Sequence, residues 1–338
     1  MRLFKKFKKY KRKAQKTLKT IRNLIGGILT ALVLISIFWP AMDTGVDLPF
    51  GTPEDWLNGV LNQTDLAPAS GIALPESGPF VCALDVGQGD AVLIGDSGHY
   101  ALIDTGTSSS ADEMIAALGR LGVEKLELLV LTHPHADHIG GASRLLDEVP
   151  VEEMLLPNSK LCKKVASFSY EKLLRKAQEM DIPMEVAQVG DQYTFGSSTL
   201  EVIGAGVETK DNLNQLSLAL RFDGPGLSFL DTGDGEKEVE QALLASGEYL
   251  RADVFKAAHH GSDTSNTSEF LAQVMPKVVL ISCGKDNDYG HPHQGPMARF
   301  QMLGAQILRT DEQGILLVAP AADGQSLNTW VSGADEAA

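Results

Sequence analysis

Residues 129–141 read LVLTHPHADHIGG and place three imidazoles and a carboxylate, His133, His135, Asp137 and His138, within six positions. Imidazole nitrogens and carboxylate oxygens are the ligands that zinc, manganese and iron accept. His133 and His135 are two apart, so an extended chain directs both to one side. Pro134 between them offers no backbone donor and keeps the segment out of a central strand. Asp137 and His138 then turn toward a neighbouring position at the start of a helix. That arrangement suits two adjacent cations better than one.

Similar residues recur at the ends of other apolar runs. Asp104 closes YALID before Thr105 and Gly106, from where its carboxylate can hold a metal-binding imidazole in place. The segment LDTGDG contains Asp231 and Asp234. Asp234 is the metal candidate, since one bridging carboxylate ties two cations together and offsets their repulsion, whereas Asp231 caps the turn. His259 and His260 follow another strand-like run and cannot both face one point, so one is expected to ligate metal and the other to meet substrate. Gly261 allows close backbone approach, and Ser262 can donate to an oxyanion or phosphate. In YGHPH (289–293), His291 is expected to face substrate. No P-loop and no Ser-His-Asp pattern competes.

The elements that must carry these residues are short. Apolar or alternating runs predict strands at 80–86, 90–95, 99–104, 126–131, 153–156, 184–188, 199–203, 216–222, 226–231, 251–257, 277–282, 306–309 and 314–318. Amphipathic spacing predicts helices at 110–121, 138–147, 163–180, 235–246, 267–274 and 295–303. Hairpin-like pairs mixed with helices give an α/β (α+β) chain of sheet layers flanked by helices, rather than a doubly wound parallel sheet. The ligand-type residues fall at strand ends, where loops on a rigid scaffold build sites.

Charge divides the chain. Of 29 basic residues in all, 11 lie within residues 1–22, which hold no acid, leaving 18 against 44 acidic residues in the remainder. The uncharged run LIGGILTALVLISIFW (24–39) follows. It reads as an uncleaved signal anchor in preference to a cleaved signal peptide, with the basic arm on the cytoplasmic side. The expected organisation is a basic cytoplasmic arm (1–23), a transmembrane anchor (24–40), a linker (41–78), a hydrolase domain (79–320) held outside the membrane, and a tail (321–338). Cys82, Cys162 and Cys283 are odd in number and widely spaced, which predicts buried free thiols rather than a disulfide framework.

The signatures THPHADHIGG, IDTG, LDTGD and HHGS, in this order, resemble the metallo-β-lactamase superfamily over about 80–318. Within it, LDVGQGDAVLI (84–94), AAHHGSDTS (257–265), YGHPH and ILRTDEQGILLV (307–318) are similar to the C-terminal domain of the competence protein ComEC. Only one hydrophobic segment stands here in place of that protein's polytopic channel, so the chain looks like a stand-alone, membrane-anchored relative. The resemblance implies a four-layer αββα sandwich with a pair of divalent cations, zinc or manganese, at one edge. His133 and His135 would hold one cation, Asp137 and His138 the other. Asp234 would bridge them and His260 complete the second site, with His259 toward substrate and Asp90 ordering the site from behind. Many members place another His before the strand at 216–222. Here Asn214 stands in its stead as a weak oxygen ligand or substrate contact, which would leave the first site poor in nitrogen and favour manganese.

The chemistry expected is metal-assisted hydrolysis by a hydroxide formed near neutral pH, with Asp137, His259 and His291 as the catalytic side chains and Ser262 gripping substrate. The resemblance implies a phosphodiester, foremost DNA. The acidic body runs against a nucleic-acid partner, although Lys160, Lys163, Lys164 and Lys172 could form a basic patch beside the site. A cell-envelope phosphodiesterase acting on teichoic-acid phosphocholine, and a non-catalytic DNA-uptake module, are the alternatives.

Overall fold

The computed structural model describes residues 72–163 and 168–333. The basic arm, the proposed anchor at 24–40, most of the linker and Lys164 lie outside them. Among the described residues no helix is long and apolar enough to cross a membrane.

Two sheets form the centre. The first contains β1 (Pro79–Ala83), β2 (Val92–Asp96), β3 (His99–Ile103), β4 (Leu128–Val130), β5 (Met154–Leu156), β6 (Met184–Val186), β14 (Leu316–Pro320) and β15 (Leu327–Val331), in the order β15-β14-β1-β2-β3-β4-β5-β6. The second contains β7 (Gln192–Phe195), β8 (Ser198–Ala205), β9 (Leu218–Gly224), β10 (Leu227–Asp231), β11 (Val254–Lys256), β12 (Val278–Ile281) and β13 (Gln306–Arg309), in the order β13-β12-β11-β10-β9-β8-β7. Strand alternation sends Val81, Ala83, Val92 and Ile94 toward the second sheet, where they pack with Leu220, Phe222 and Phe229. Their neighbours Phe80, Cys82 and Leu93 face outward into a layer containing Leu118, Leu145 and Leu173. These come from helices α1 (Ala111–Arg120), α3 (Ala142–Glu148) and α4 (Phe168–Glu179). On the far side, Leu243, Phe270 and Phe300 of helices α5 (Lys237–Ser246), α6 (Ser268–Val274) and α7 (Gln294–Met302) cover the second sheet. The layers are therefore αββα, as expected. Strands covered on both faces carry unbroken apolar runs. The three cysteines are free and buried.

Several boundaries differ from the sequence reading. The expected helix at 138–147 is two pieces, α2 (Ala136–Ile139) and α3, divided by Gly140 and Gly141. A Cβ at Gly141 would strike the carbonyl of Thr105, so the loop after β3 can pack there only against glycine. Leu327–Val331, in the expected tail, pair with β14 as an edge strand. Ile72, in the expected linker, lies in the core. β7 was not anticipated. It forms a hairpin with β8 at the sheet edge, where alternating exposure weakens the apolar signal. The short α8 (Thr310–Gln313) joins β13 to β14.

Asp96, at the end of β2, ties the sheets together. Its carboxylate accepts from Ser97 Oγ (2.7 Å), Ser197 N (3.0 Å) and Oγ (2.6 Å), and Ser198 Oγ (2.8 Å), the last two residues lying at the β7–β8 turn. Burial works to raise its pKa, but the hydrogen bonds from Ser197, Ser97 and Ser198 outweigh it and hold the carboxyl below its ordinary value. This stabilisation is present above the unfolded carboxylate pKa and is lost as pH falls through the lowered folded value. Asp96→Ala is expected to cost about 2–4 kcal/mol at neutral pH, and less in acid. Urea unfolding checks it, and an unchanged midpoint would deny the strut any energetic weight.

Candidate metal centre

The ligand-type side chains meet at the carboxyl ends of parallel strands, β3 and β4 in one sheet and β10, β11 and β12 in the other. The segment before β2 closes the floor: Asp90 N donates to Asp137 O (3.1 Å), and Gly106 N donates to Asp90 O (2.7 Å). Asp104, His259 and His260 all adopt left-handed backbone, with φ of 60°, 51° and 55°. Such conformations cost roughly 1–3 kcal/mol each and cluster at functional sites.

Hydrogen bonds set which nitrogen of each imidazole is free. His138 Nδ1 donates to Asp104 Oδ2 (2.7 Å), which also accepts from Thr132 Oγ1 (2.6 Å). Since that hydroxyl donates to Asp104, it accepts from His133 Nδ1 at 3.2 Å. His260 Nδ1 donates to Ser282 O (2.9 Å). All three rings thus turn Nε2 inward, the nitrogen that can ligate a cation once it carries no proton.

Two ligand groups result. His133, His135 and Asp234 bring one donor atom each into the first; His138, Asp234, His260 and Asp90 do so in the second. His133 Nε2 lies 3.0 Å from His135 Nδ1 and 3.8 Å from Asp234 Oδ2. His138 Nε2 lies 3.2 Å from Asp234 Oδ1, and His260 Nε2 lies 3.4 Å from Asp137 Oδ2 and 3.7 Å from Asp234 Oδ2. Asp234 stands between the groups, as a bridging carboxylate must. Asp90 differs from the others because its Oδ2 is paired with Lys256 Nζ at 2.5 Å, while Oδ1 faces His260 Nδ1 at 3.3 Å. Its charge is answered by lysine, and it supports His260 from behind.

The residues fit a divalent cation. His138 Nε2, Asp234 Oδ1 and His260 Nε2 are buried without a hydrogen-bond partner. Such orphans are expensive unless a positive charge meets them. Burial holds His133 well below its ordinary pKa and lowers His135 as well, so both are neutral. Burial also disfavours charge on His138 and His260, yet Asp234 outweighs it with Asp104 behind one ring and Asp90 behind the other. His138 is held well above its ordinary value and His260 at about 10.

A cavity of about 270 Å³ opens over the centre, lined by Gln88, His135, Ala136, Asp137, Asn214, Asp234, His259, His260, Tyr289 and His291. His259 is the more exposed of the pair; its Nδ1 contacts Thr264 Oγ1 (3.0 Å) and its Nε2 lies 3.7 Å from Asp234 Oδ2. His291 is held by Gln88: Oε1 accepts from Gly284 N (3.1 Å), so Nε2 of the same amide donates to His291 Nδ1 (3.5 Å). The other ring nitrogen, Nε2, therefore carries the hydrogen. Burial, then His260, His259 and His293, push His291 down to about 4, so it is a neutral donor at pH 7. Asn214 Nδ2 donates to Glu236 Oε1 (3.2 Å), leaving a buried, unpartnered Oδ1.

Not every expected residue reaches the cavity. Ser262 is absent from its lining; its hydroxyl is engaged by Thr264 within the turn that the two left-handed histidines impose. Lys160, Lys163 and Lys172 are exposed and are not among the residues that line it. Lys256, Gln88, Glu236 and Tyr289 were not anticipated. The lysine ending the apolar run VFK was the one available signal, since a charge inside a buried strand demands a partner.

Residues 84–285 match the Metallo-beta-lactamase superfamily. The chain belongs to this family. Relatives of the metallo-beta-lactamase chain are ComE operon protein 3 of Bacillus subtilis, 34% identical over 69% of this chain and 32% of that protein, and Competence protein ComA of Neisseria gonorrhoeae, 30% identical over 72% and 33%. Recombination protein 2 of Haemophilus influenzae is 32% identical over 69% and 28%. The chain spans about a third of the length of these relatives. The ComEC-type resemblance read from the motifs therefore holds.

Proposed function

We propose that this metallo-beta-lactamase chain is a divalent-metal-dependent phosphodiesterase acting on nucleic acid, foremost DNA. The observation that carries the metal-dependent reading is the convergence of His138 Nε2, Asp234 Oδ1 and His260 Nε2, buried and unpartnered, on one point beneath an open cavity. His133, His135 and Asp234, with Asn214 Oδ1 beside them, would hold one zinc or manganese ion; Asp137, His138, Asp234 and His260 would hold the second. Cations bound there supply an acidified water and charge stabilisation at a phosphoryl oxygen.

The chain's own groups do the rest. His291 donates from Nε2 to a substrate oxygen. His259 presents Nε2 to the same cavity while Thr264 holds its other nitrogen. Asp137 is kept ionised: burial works to raise its pKa, but His260 and His138 hold it well below the carboxylate range. As a carboxylate facing the cavity, it orients the attacking water. The names of the relatives, competence and recombination, support a nucleic-acid substrate. We further place the catalytic body outside the membrane, held by residues 24–40 behind the basic arm.

Full-length chain incubated with single- or double-stranded DNA and Mn²⁺ or Zn²⁺ is expected to cleave it, to lose activity with a chelator, and to regain it with fresh cation. Turnover of bis(p-nitrophenyl) phosphate with neither DNA form cut would move the substrate away from nucleic acid. A protein that purifies without metal, and whose activity ignores Asp137→Ala, would not be this hydrolase.

A further inference from the structure

Tyr289 stands at the cavity mouth with 65% of its surface exposed, and its ring packs against a neighbour. It stacks on His291 with centroids 5.6 Å apart and planes 17° apart, and His291 stacks on His260 at 5.9 Å and 30°. The column runs from solvent to a ring of the second ligand group. Its loop is clasped by Asn287, whose Oδ1 accepts from Tyr289 N (3.2 Å) and His291 N (3.0 Å), and whose Nδ2 donates to Gly284 O (2.9 Å) and His291 O (2.7 Å). His293 Nε2 adds a bond to Tyr289 O (3.1 Å). The loop that carries the ring is thus positioned in advance, which lowers the ordering entropy left for a ligand to overcome.

The cavity's other walls restrict how a polyanion could be gripped. Among the described residues, no lysine or arginine lines it. Apart from phosphate contacts at the centre itself, the remaining handle on a nucleic acid is the face of a base, and every base has one.

We propose that Tyr289 is a stacking platform for a nucleobase next to the scissile phosphate, and that it makes the site select single-stranded over double-stranded nucleic acid. This inference rests on the nucleic-acid reading above. A base inside a duplex is already stacked and paired, and reaching Tyr289 would require extruding it at a cost of a few kcal/mol. A single strand offers the face directly.

The test compares a hydrolysis-resistant, phosphorothioate-linked thymidine pentamer with an abasic strand of the same length. Both carry a fluorophore, and their binding to Mn²⁺-loaded full-length chain is followed by anisotropy. Alanine replacement at base-stacking aromatics typically weakens binding by 1–3 kcal/mol per base, so wild type is expected to prefer the base-bearing strand by about tenfold. Tyr289→Ala should abolish the preference, and Tyr289→Phe should keep it. Equal binding of the two strands by wild type, or a preference that survives in Tyr289→Ala, overturns the platform. A base preference lost in Tyr289→Ala, with no cleavage of ordinary DNA, keeps the platform and sinks the nuclease reading. DNA cleavage without any base preference does the reverse.

Discussion

Asp234→Ala is expected to strip cations from both ligand groups at once, because Asp234 is the residue common to the two. Its Oδ1 lies 3.2 Å from His138 Nε2, and its Oδ2 lies 3.8 Å from His133 Nε2 and 3.7 Å from His260 Nε2. Asp104→Asn, which touches only the far nitrogen of His138 and Thr132, provides the scale. Losing such outer support typically lowers metal affinity or activity by about 10- to 100-fold. Asp234→Ala should exceed that range in phosphodiester turnover and leave less than one cation per chain by elemental analysis. A larger loss from Asp104→Asn than from Asp234→Ala would dismiss the bridging role. The same geometry sets a pH dependence. Burial opposes charge on His260, but Asp234 and Asp90 raise its pKa to about 10, and His138 is raised likewise. Both rings are protonated at neutral pH before a cation arrives and must release their protons to ligate it. Apparent affinity should therefore rise with pH, and calorimetry in buffers of different ionisation enthalpy should record proton release. Heats independent of buffer would contradict this.

Lys256→Met carries the largest expected stability loss. Lys256 has no exposed surface, its Nζ lies 2.5 Å from Asp90 Oδ2, and it donates to Ala257 O at 2.9 Å. Burial would lower its pKa, but Asp90, Asp231 and Asp234 more than reverse this and keep it charged. Breaking a buried pair leaves an uncompensated charge, which costs about 3–5 kcal/mol. Adding Asp90→Asn to Lys256→Met should recover much of the loss, and urea unfolding of both variants checks it. A loss under about 1 kcal/mol, the range of an exposed pair, would contradict the buried-pair account. Asp231 adds a slope of opposite sign to that of Asp96. Burial first, then Asp90, raise it from 3.8 to about 7 against the pull of Lys256. The folded state then holds this proton more firmly than the unfolded state. Its contribution is most favourable in acid and declines as pH rises from about 4 to about 7. Asp231→Asn should flatten that part of the stability profile, and an unaltered profile would contradict it.

The difference between what was legible and what was not follows from the range of the interactions. His133, His135, Asp137 and His138 announce themselves because their ligand atoms are neighbours in the chain. Asp104 and Asp234 stand out because each ends or follows an apolar strand at a turn, whereas the choice of His260 over His259 as ligand came only from the family resemblance. The bonds of Ser262 were not legible, because the left-handed turn at His259 and His260 is what brings its hydroxyl to Thr264. The break at Gly140 and Gly141 was invisible because its cause, the loop at Thr105, lies more than thirty positions earlier.

By itself the chain determined the alternation that layers two sheets between helices, and the kinds of donor a cation would meet, since both depend on residue type and local spacing. Only the tertiary structure decided which nitrogen of each imidazole turns inward, that Asp90 pairs with Lys256 across the sheet, and that Tyr289 caps a column of rings. Those outcomes depend on distances between atoms from separate strands, and short-range sequence patterns carry no such distances.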